Sequence, residues 1–299
     1  SAPRGLAFDP ASNRLFVAHT GYHRVMVYDV DVISNGEAAI NVLGQTSFTV
    51  GNSGLAQNRL NGARGLALTG STLFVGDTAN NRVMVFDVAA ITNGENAVHV
   101  LGQATFTTNT AATSQTGLRS PRGVTVDGSN RLFVADTTNN RVMVFDVADI
   151  TDGEAAINVL GQATFTTNTS ATSTTGLKAP EAVAAEASAR LFVGDSSNHR
   201  VMVFDIAAIT DGEAAINVLG QTSFTAGSSG LAQNRLNAPY GVTLLGSQLV
   251  VADSTNQRVM IFDVAAITNG ENAVNLAGQV DGSLAPIYSK NGVNDGPNL

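Results

Sequence analysis

A chain of 299 residues carries 24 Asp and Glu against 16 Lys and Arg, a formal charge of −8, and contains no Cys and no Trp. That acidic balance argues against binding nucleic acid or an anionic membrane surface, both of which require clustered Lys and Arg, and the missing Cys removes disulfides from any account of stability. Charged residues make up only 13% of the chain, about half the usual share, so neutral Thr, Ser and Asn must carry solubility.

Read from the N-terminus, nearly the same wording returns five times: Arg-Leu-Phe-Val-Gly/Ala-Asp, a few Asn-rich residues, Arg-Val-Met-Val-Phe-Asp-Val, a Gly turn, then Val-Leu-Gly-Gln. The closing glutamines, Gln45, Gln103, Gln162, Gln221 and Gln279, are spaced 58, 59, 59 and 58 apart. A period of that length holding several short strands marks a repeat architecture, in which most recurring residues serve the scaffold. The copies follow one another with no shift in composition, so residues 1–299 read as one repetitive domain.

The second copy shows the elements in order: a strand over 65–68, a second over 73–77, a third over 82–87 and a fourth over 98–101, each rich in Val, Leu and Phe and bounded by Gly, Asn or Asp. These make one four-stranded antiparallel sheet. In the third strand Val83 and Val85 point one way while Met84 and Phe86 point the other, so the sheet must be covered on both sides. All five methionines, Met26, Met84, Met143, Met202 and Met260, occupy this position, which makes them packing residues rather than a redox or metal set.

Between the third and fourth strands, residues 88–95 suggest one short helical turn closed by Asn93-Gly94 and decorating the outer rim. After each glutamine comes a long polar loop. Phe48, Phe106, Phe165 and Phe224 recur three residues after the first four glutamines and tack these loops down, and the last copy lacks that plug.

Sheets that are apolar on both faces and stack side by side bury those faces by continuing the stack or by closing into a ring, a β-propeller. The fold class is therefore read as all-β: a β-propeller of five four-stranded antiparallel blades, with six-bladed closure using outside strands as the alternative. The blades fall at roughly 1–60, 61–118, 119–177, 178–236 and 237–282, with 283–299 as a linker or closure segment.

The wording Pro-Arg-Gly-Val-Thr-Val-Asp at 121–127, Arg-Leu-Phe-Val-Ala-Asp at 131–136 and Asn139-Asn140-Arg141-Val142 resembles the NHL repeat, and the resemblance runs through all five copies over residues 3–282. It implies that the strand opening on Gly-Val lies innermost and that members often carry six blades. It also implies a structural polar cluster at the turn between second and third strands: Asp77 with Arg82, Asp136 with Arg141, Asp195 with Arg200, and Asp253 with Arg258. In the first copy Arg24 keeps its half while His19 stands where the Asp would be.

Function on such a scaffold is sought where the copies disagree. The residue before the inner-strand Gly varies as Arg4, Arg64, Arg122, Glu181 and Tyr240, and a propeller would set these around one channel mouth, where they could hold a small anionic or sugar-like ligand. The bland reading is that they pair among themselves and plug the hole.

Some NHL enzymes of the lyase type hold zinc with channel histidines, and lactonases of propeller fold hold calcium. The four histidines here, His19, His23, His99 and His199, do not converge on one place, and the recurring acids sit at turns or strand ends, so no metal, cofactor or catalytic residue is assigned. Loops at 107–116 and 166–175 are Thr/Ser-rich, and Asn168-Thr169-Ser170 fits a glycosylation sequon.

These features point to a non-catalytic extracellular or cell-surface module, exported by a bacterium, that binds protein partners or assembles with itself through its loop faces. Ser1 opens the chain without Met or a leader pattern, and Leu299 joined to Ser1-Ala2-Pro3-Arg4 would rebuild the inter-copy linker, so a section of a longer repetitive protein or filament is expected. A lyase or lactonase at the channel mouth is the alternative.

Overall fold

The computed structural model describes residues 2–187, 189–279 and 285–291; of the expected linker 283–299 only the middle lies among these, and Ser1 and Leu299 lie outside them. The chain forms five four-stranded antiparallel sheets, each with its strands in sequence order. Blade 1 comprises β1 (Pro3–Asp9), β2 (Arg14–His19), β3 (Arg24–Asp29) and β4 (Asn41–Leu43). Blade 2 comprises β5 (Ala63–Thr69), β6 (Thr72–Asp77), β7 (Arg82–Asp87) and β8 (His99–Leu101). Blade 3 comprises β9 (Pro121–Val126), β10 (Arg131–Asp136), β11 (Arg141–Asp146) and β12 (Asn158–Leu160). Blade 4 comprises β13 (Pro180–Glu186), β14 (Arg190–Asp195), β15 (Arg200–Asp205) and β16 (Asn217–Leu219). Blade 5 comprises β17 (Pro239–Leu245), β18 (Gln248–Asp253), β19 (Arg258–Asp263) and β20 (Asn275–Ala277). The fold class is all-β, with five blades of the propeller type.

By internal packing the chain divides into two compact units. Residues 1–126, 130–139 and 143–157 make the first, and residues 127–129, 140–142 and 158–299 the second.

The core of the first unit lies between blades. Phe16, Ala18, Val25, Val27 and Leu43 of blade 1 meet Leu66, Leu73, Val75, Met84, Phe86 and Val100 of blade 2. In the second unit Phe192, Val201, Val203 and Leu219 of blade 4 meet Leu249, Val251, Met260, Phe262 and Leu276 of blade 5. The five methionines are buried, as the two-faced pattern of the third strand requires. Full burial of such side chains stabilises by roughly 1.5–3 kcal/mol each, so the blade-on-blade contact is the principal source of stability.

Each inner strand carries a bulge at its variable residue. Pro121 pairs with Asp136 and Val124 with Val134, leaving Arg122 and Gly123 opposite a single residue. The glycine at this bulge allows the next inner strand to come close: a Cβ on Gly5 would sit 1.9 Å from the Arg64 carbonyl oxygen, and one on Gly65 2.1 Å from that of Arg122. Blade 4 departs from the pattern with Ala182 at this point.

Two expectations about the connections are corrected. Residues 88–95 contain no helix; they run as bends and a turn. The short helices are 3-10 turns between second and third strands instead, at Thr20–Tyr22, Thr78–Asn80, Thr137–Asn139, Ser196–Asn198 and Ser254–Asn256. The last copy also has its plug. Tyr288, nine residues after Gln279 rather than three, packs against the core of the second unit, and its carbonyl accepts from Arg258 as the Phe106 carbonyl accepts from Arg82.

Candidate functional site

The Asp and Arg that flank the 3-10 turn meet because β2 and β3 pair in register there, Asp77 opposite Arg82 and Asp195 opposite Arg200. Asp77 accepts from Arg82 Nε at 2.7 Å, from Asn80 Nδ2 at 2.8 Å and from the Asn61 N–H at 2.5 Å. The rest of the Arg82 guanidinium donates to the carbonyls of Phe106, Ala56 and Arg59. The same geometry recurs at Asp195–Arg200 and Asp253–Arg258, each at 2.7 Å with both side chains wholly buried. In blade 3, Asp136 accepts from Asn139 and the Arg119 N–H, while Arg141 donates to the Phe165 carbonyl.

Burial pushes the Asp77 and Asp195 carboxyls up, and the guanidinium and two further donors pull them back. Every oxygen and nitrogen of the pair is committed to loop closure. The cluster is a strut that ties the long loop and its Phe plug to the blade.

In blade 1 the strut is incomplete. His19 replaces the Asp, neither His19 Nδ1 nor Arg24 Nε has a hydrogen-bond partner, and Arg24 stacks over the Tyr22 ring at 5.1 Å instead.

The residue after each 3-10 turn is left-handed, with φ between 51° and 54° at His23, Asn81, His199 and Gln257. In the first four blades its side chain staples the blade to the linker that enters the next one. Asn81 Oδ1 accepts from the Ser120 N–H at 2.9 Å, and His23 and His199 do the same through Nδ1 for Gly62 and Ala238 at 3.0 and 3.1 Å. These two histidines stand where blades 2 and 3 carry Asn81 and Asn140. An accepting Nδ1 requires the neutral ring, and burial holds both below the usual histidine range. The closing glutamines are struts as well: Gln103 Nε2 donates to the carbonyls of Asn81 and Thr110.

The structure brings Arg4, Arg64 and Arg122 to equivalent bulges on successive inner strands of the first unit, and Glu181 and Tyr240 to equivalent bulges on those of the second. Two surface grooves of about 480 and 470 Å³ lie elsewhere, one lined by Asp87, His99, Asp149 and Thr151 and the other by Phe8, Arg14, Leu68 and Ser71. In the first of these His99 Nδ1 lies 3.3 Å from Asp152, both well exposed. Among the described residues no three His, Asp or Glu side chains gather as a metal set would.

Reasoning from the sequence missed a set of inter-blade clamps. In blades 2 to 5 the Asn-Gly or Asp-Gly of the 88–95-type connection reaches back to the outermost strand of the preceding blade. Asn93 Oδ1 accepts from the Val42 N–H at 3.0 Å while the Gly94 N–H donates to the Val42 carbonyl at 3.1 Å. Asp152 does this to Val100, Asp211 to Val159 and Asn269 to Val218. The rim connection is therefore a clasp, and its recurrence at the repeat period was the available signal.

Comparison with known proteins agrees with this architecture. Residues 118–145 match the family model described as NHL repeat. No curated protein matches. Among solved structures, a chain in a nidogen/laminin complex is similar at TM-score 0.58 and 19% identity, covering 92% of this chain and 79% of that one. U3-55K is similar at TM-score 0.58 and 13% identity, covering 88% and 62%, and the WD40 repeats of RRP9 at 0.57 and 12%, covering 88% and 61%. This chain thus spans less than two thirds of the latter two, and identities this low speak for the fold alone. Blade architecture, strut and staple together describe a propeller-type repeat protein in which residues 118–145 match the NHL repeat model.

Proposed function

We propose that the chain is a non-catalytic propeller module that binds protein, working outside the cell or at its surface and forming part of a larger repetitive assembly. The observation that carries this reading is the commitment of the recurring polar residues. The Asp–Arg pairs, the left-handed Asn and His, the closing Gln and the clamp Asn or Asp each hold one part of the scaffold to another, which leaves them unavailable for chemistry. The nidogen/laminin structure supports protein binding as a use of such a fold. The low charge and Thr/Ser-rich surface loops support export, and Asn168 in its sequon is exposed.

The test is turnover. Purified protein supplied with zinc or calcium should leave lactone, ester and peptidyl-hydroxyglycine substrates unchanged. Turnover lost on substituting Arg122 or Glu181 would overturn the reading in favour of a channel-mouth enzyme. A second reading, recognition of a small anion, draws on the bulges that present Arg4, Arg64 and Arg122 on neighbouring strands. Replacing all three with Ala should then abolish anion binding measured by calorimetry, and unchanged binding would remove it.

A further inference from the structure

The turn that presents each clamp residue is closed by a glutamate. In blade 2 the Glu95 N–H donates to the Thr92 carbonyl at 3.3 Å and Glu95 Oε2 accepts from the Thr92 N–H at 2.8 Å, so Asn93 and Gly94 are held between them and reach Val42 together. Glu154 closes the turn that bears Asp152 in the same way, and Glu213 the turn that bears Asp211.

Only one oxygen of each carboxyl is used. Oε1 of Glu95, Glu154, Glu213 and Glu271 is buried and has no hydrogen-bond partner. A single atom of this kind marks one loop; the same atom in blades 2 to 5 is a property of the turn.

A buried carboxylate oxygen with no donor to accept from costs free energy when it is charged and much less when the group is neutral. Burial accordingly holds the Glu95, Glu154 and Glu213 carboxyls above the usual value of 4.5, and the bonds from Thr92, Thr151 and Thr210 offset it only in part. Among charged neighbours, Asp87 acts on Glu95 and Asp205 on Glu213, both favouring the proton, while Glu154 has Asp146 favouring the proton and His99 favouring the charge. The segments packed on the blade 2 turn bring neutral groups: a Cβ on Gly94 would lie 2.8 Å from Thr46 Cα, and Asn58 donates to the Gly94 carbonyl. In blades 3 and 4 the clamp residue is itself an acid, Asp152 or Asp211, so blade 2, where it is Asn93, isolates the glutamate.

We infer that these rim turns are proton-operated latches, in which uptake of a proton by Glu95, Glu154 and Glu213 tightens the clasp that each turn makes on the preceding blade. At neutral pH the folded turn holds a charge that the unfolded chain would keep in water. As the pH falls through the raised folded value, the folded chain takes up its proton before the unfolded chain does, stability rises, and the gain is complete below about 4.5. The histidine staples run the other way, because His23 and His199 accept only as neutral rings. Acid therefore loosens the staples on the linkers and tightens the clasps on the rim. The inference holds whatever the module binds.

The unmodified chain supplies the first test. The side-chain carboxyl carbons of Glu95, Glu154 and Glu213 should titrate by NMR with midpoints above 4.5, and exchange protection of the Val42 N–H should rise as the pH falls through the Glu95 midpoint. Glu95→Gln keeps an oxygen for the Thr92 N–H and removes the charge. Its urea midpoint should exceed that of the unmodified chain at about pH 7, the two should coincide at about pH 4, and its Val42 protection should no longer follow the pH. Carboxyl midpoints at or below 4.5 would overturn the inference. So would a Gln variant that is no more stable than the unmodified chain at about pH 7, the result expected if an ordered water donates to Oε1 and satisfies the charge.

Discussion

Blades 1 and 2 are written in nearly the same residues, yet their surroundings differ at each point of contact. Blade 2 has a buried Asp77–Arg82 strut, a covered sheet face and an Asn93 clamp closed on its predecessor. Blade 1 has His19 in place of the acid, Leu6 and Phe8 in water, and an exposed Asn35-Gly36 turn. Burial in a repeat protein thus belongs to the junction between units, and a residue's contribution depends on which neighbours its copy has.

The largest expected effect separates the two struts. Asp77→Ala leaves a buried guanidinium without its anion and should cost about 3–5 kcal/mol in urea unfolding. His19→Ala in blade 1 should cost less than about 1 kcal/mol, since no ion pair is broken. Equal losses would mean that the Asp–Arg pairs are not what fastens the loops. Next in size, His19→Asp should rebuild the pair with the unpartnered Arg24 Nε and raise stability by about 1 kcal/mol. The same measurement showing a loss would mean that the stack on Tyr22 already satisfies Arg24.

The clamps give a comparable but smaller contrast. Asn93→Ala removes an acceptor from the Val42 N–H and should cost about 1 kcal/mol, while Asn35→Ala should change stability by less than about 0.5 kcal/mol. The smallest effect is a pH dependence. His23 and His199 must stay neutral to accept from Gly62 and Ala238, and burial depresses both below the unfolded value of about 6.5. Their contribution is complete above that value and falls away as the pH drops below it, because the unfolded chain takes up the protons first. His23→Asn/His199→Asn should flatten this part of the stability–pH curve, and an unaltered curve would assign the dependence to other groups.

Much of the scaffold was legible. Short apolar runs bounded by Gly and Asn placed the strands to within a residue or two, because period-2 burial leaves its mark directly on sequence. The Asp–Arg pairs came from resemblance to the NHL repeat, and the structure buries them. The plug at Tyr288 was not legible, since it lies nine residues after Gln279 and the period says three. The clamps were misread as a decorated turn because Asn-Gly favours a turn in any context, and nothing local shows that the Asn side chain reaches 51 residues back to Val42. The lesser burial of blade 1 was invisible for the opposite reason: Leu6 and Leu15 look like Leu66 and Leu73, and only the structure shows which are buried.

The most direct test of this account compares Leu73→Ala with Leu15→Ala, the same change at equivalent points of β6 and β2, by urea unfolding. Leu73 is wholly buried against blade 1, and its loss should cost about 2–5 kcal/mol, at least about 1 kcal/mol more than the loss of Leu15. Equal costs would contradict the account, because the half-buried Leu15 would then contribute as much as the wholly buried Leu73.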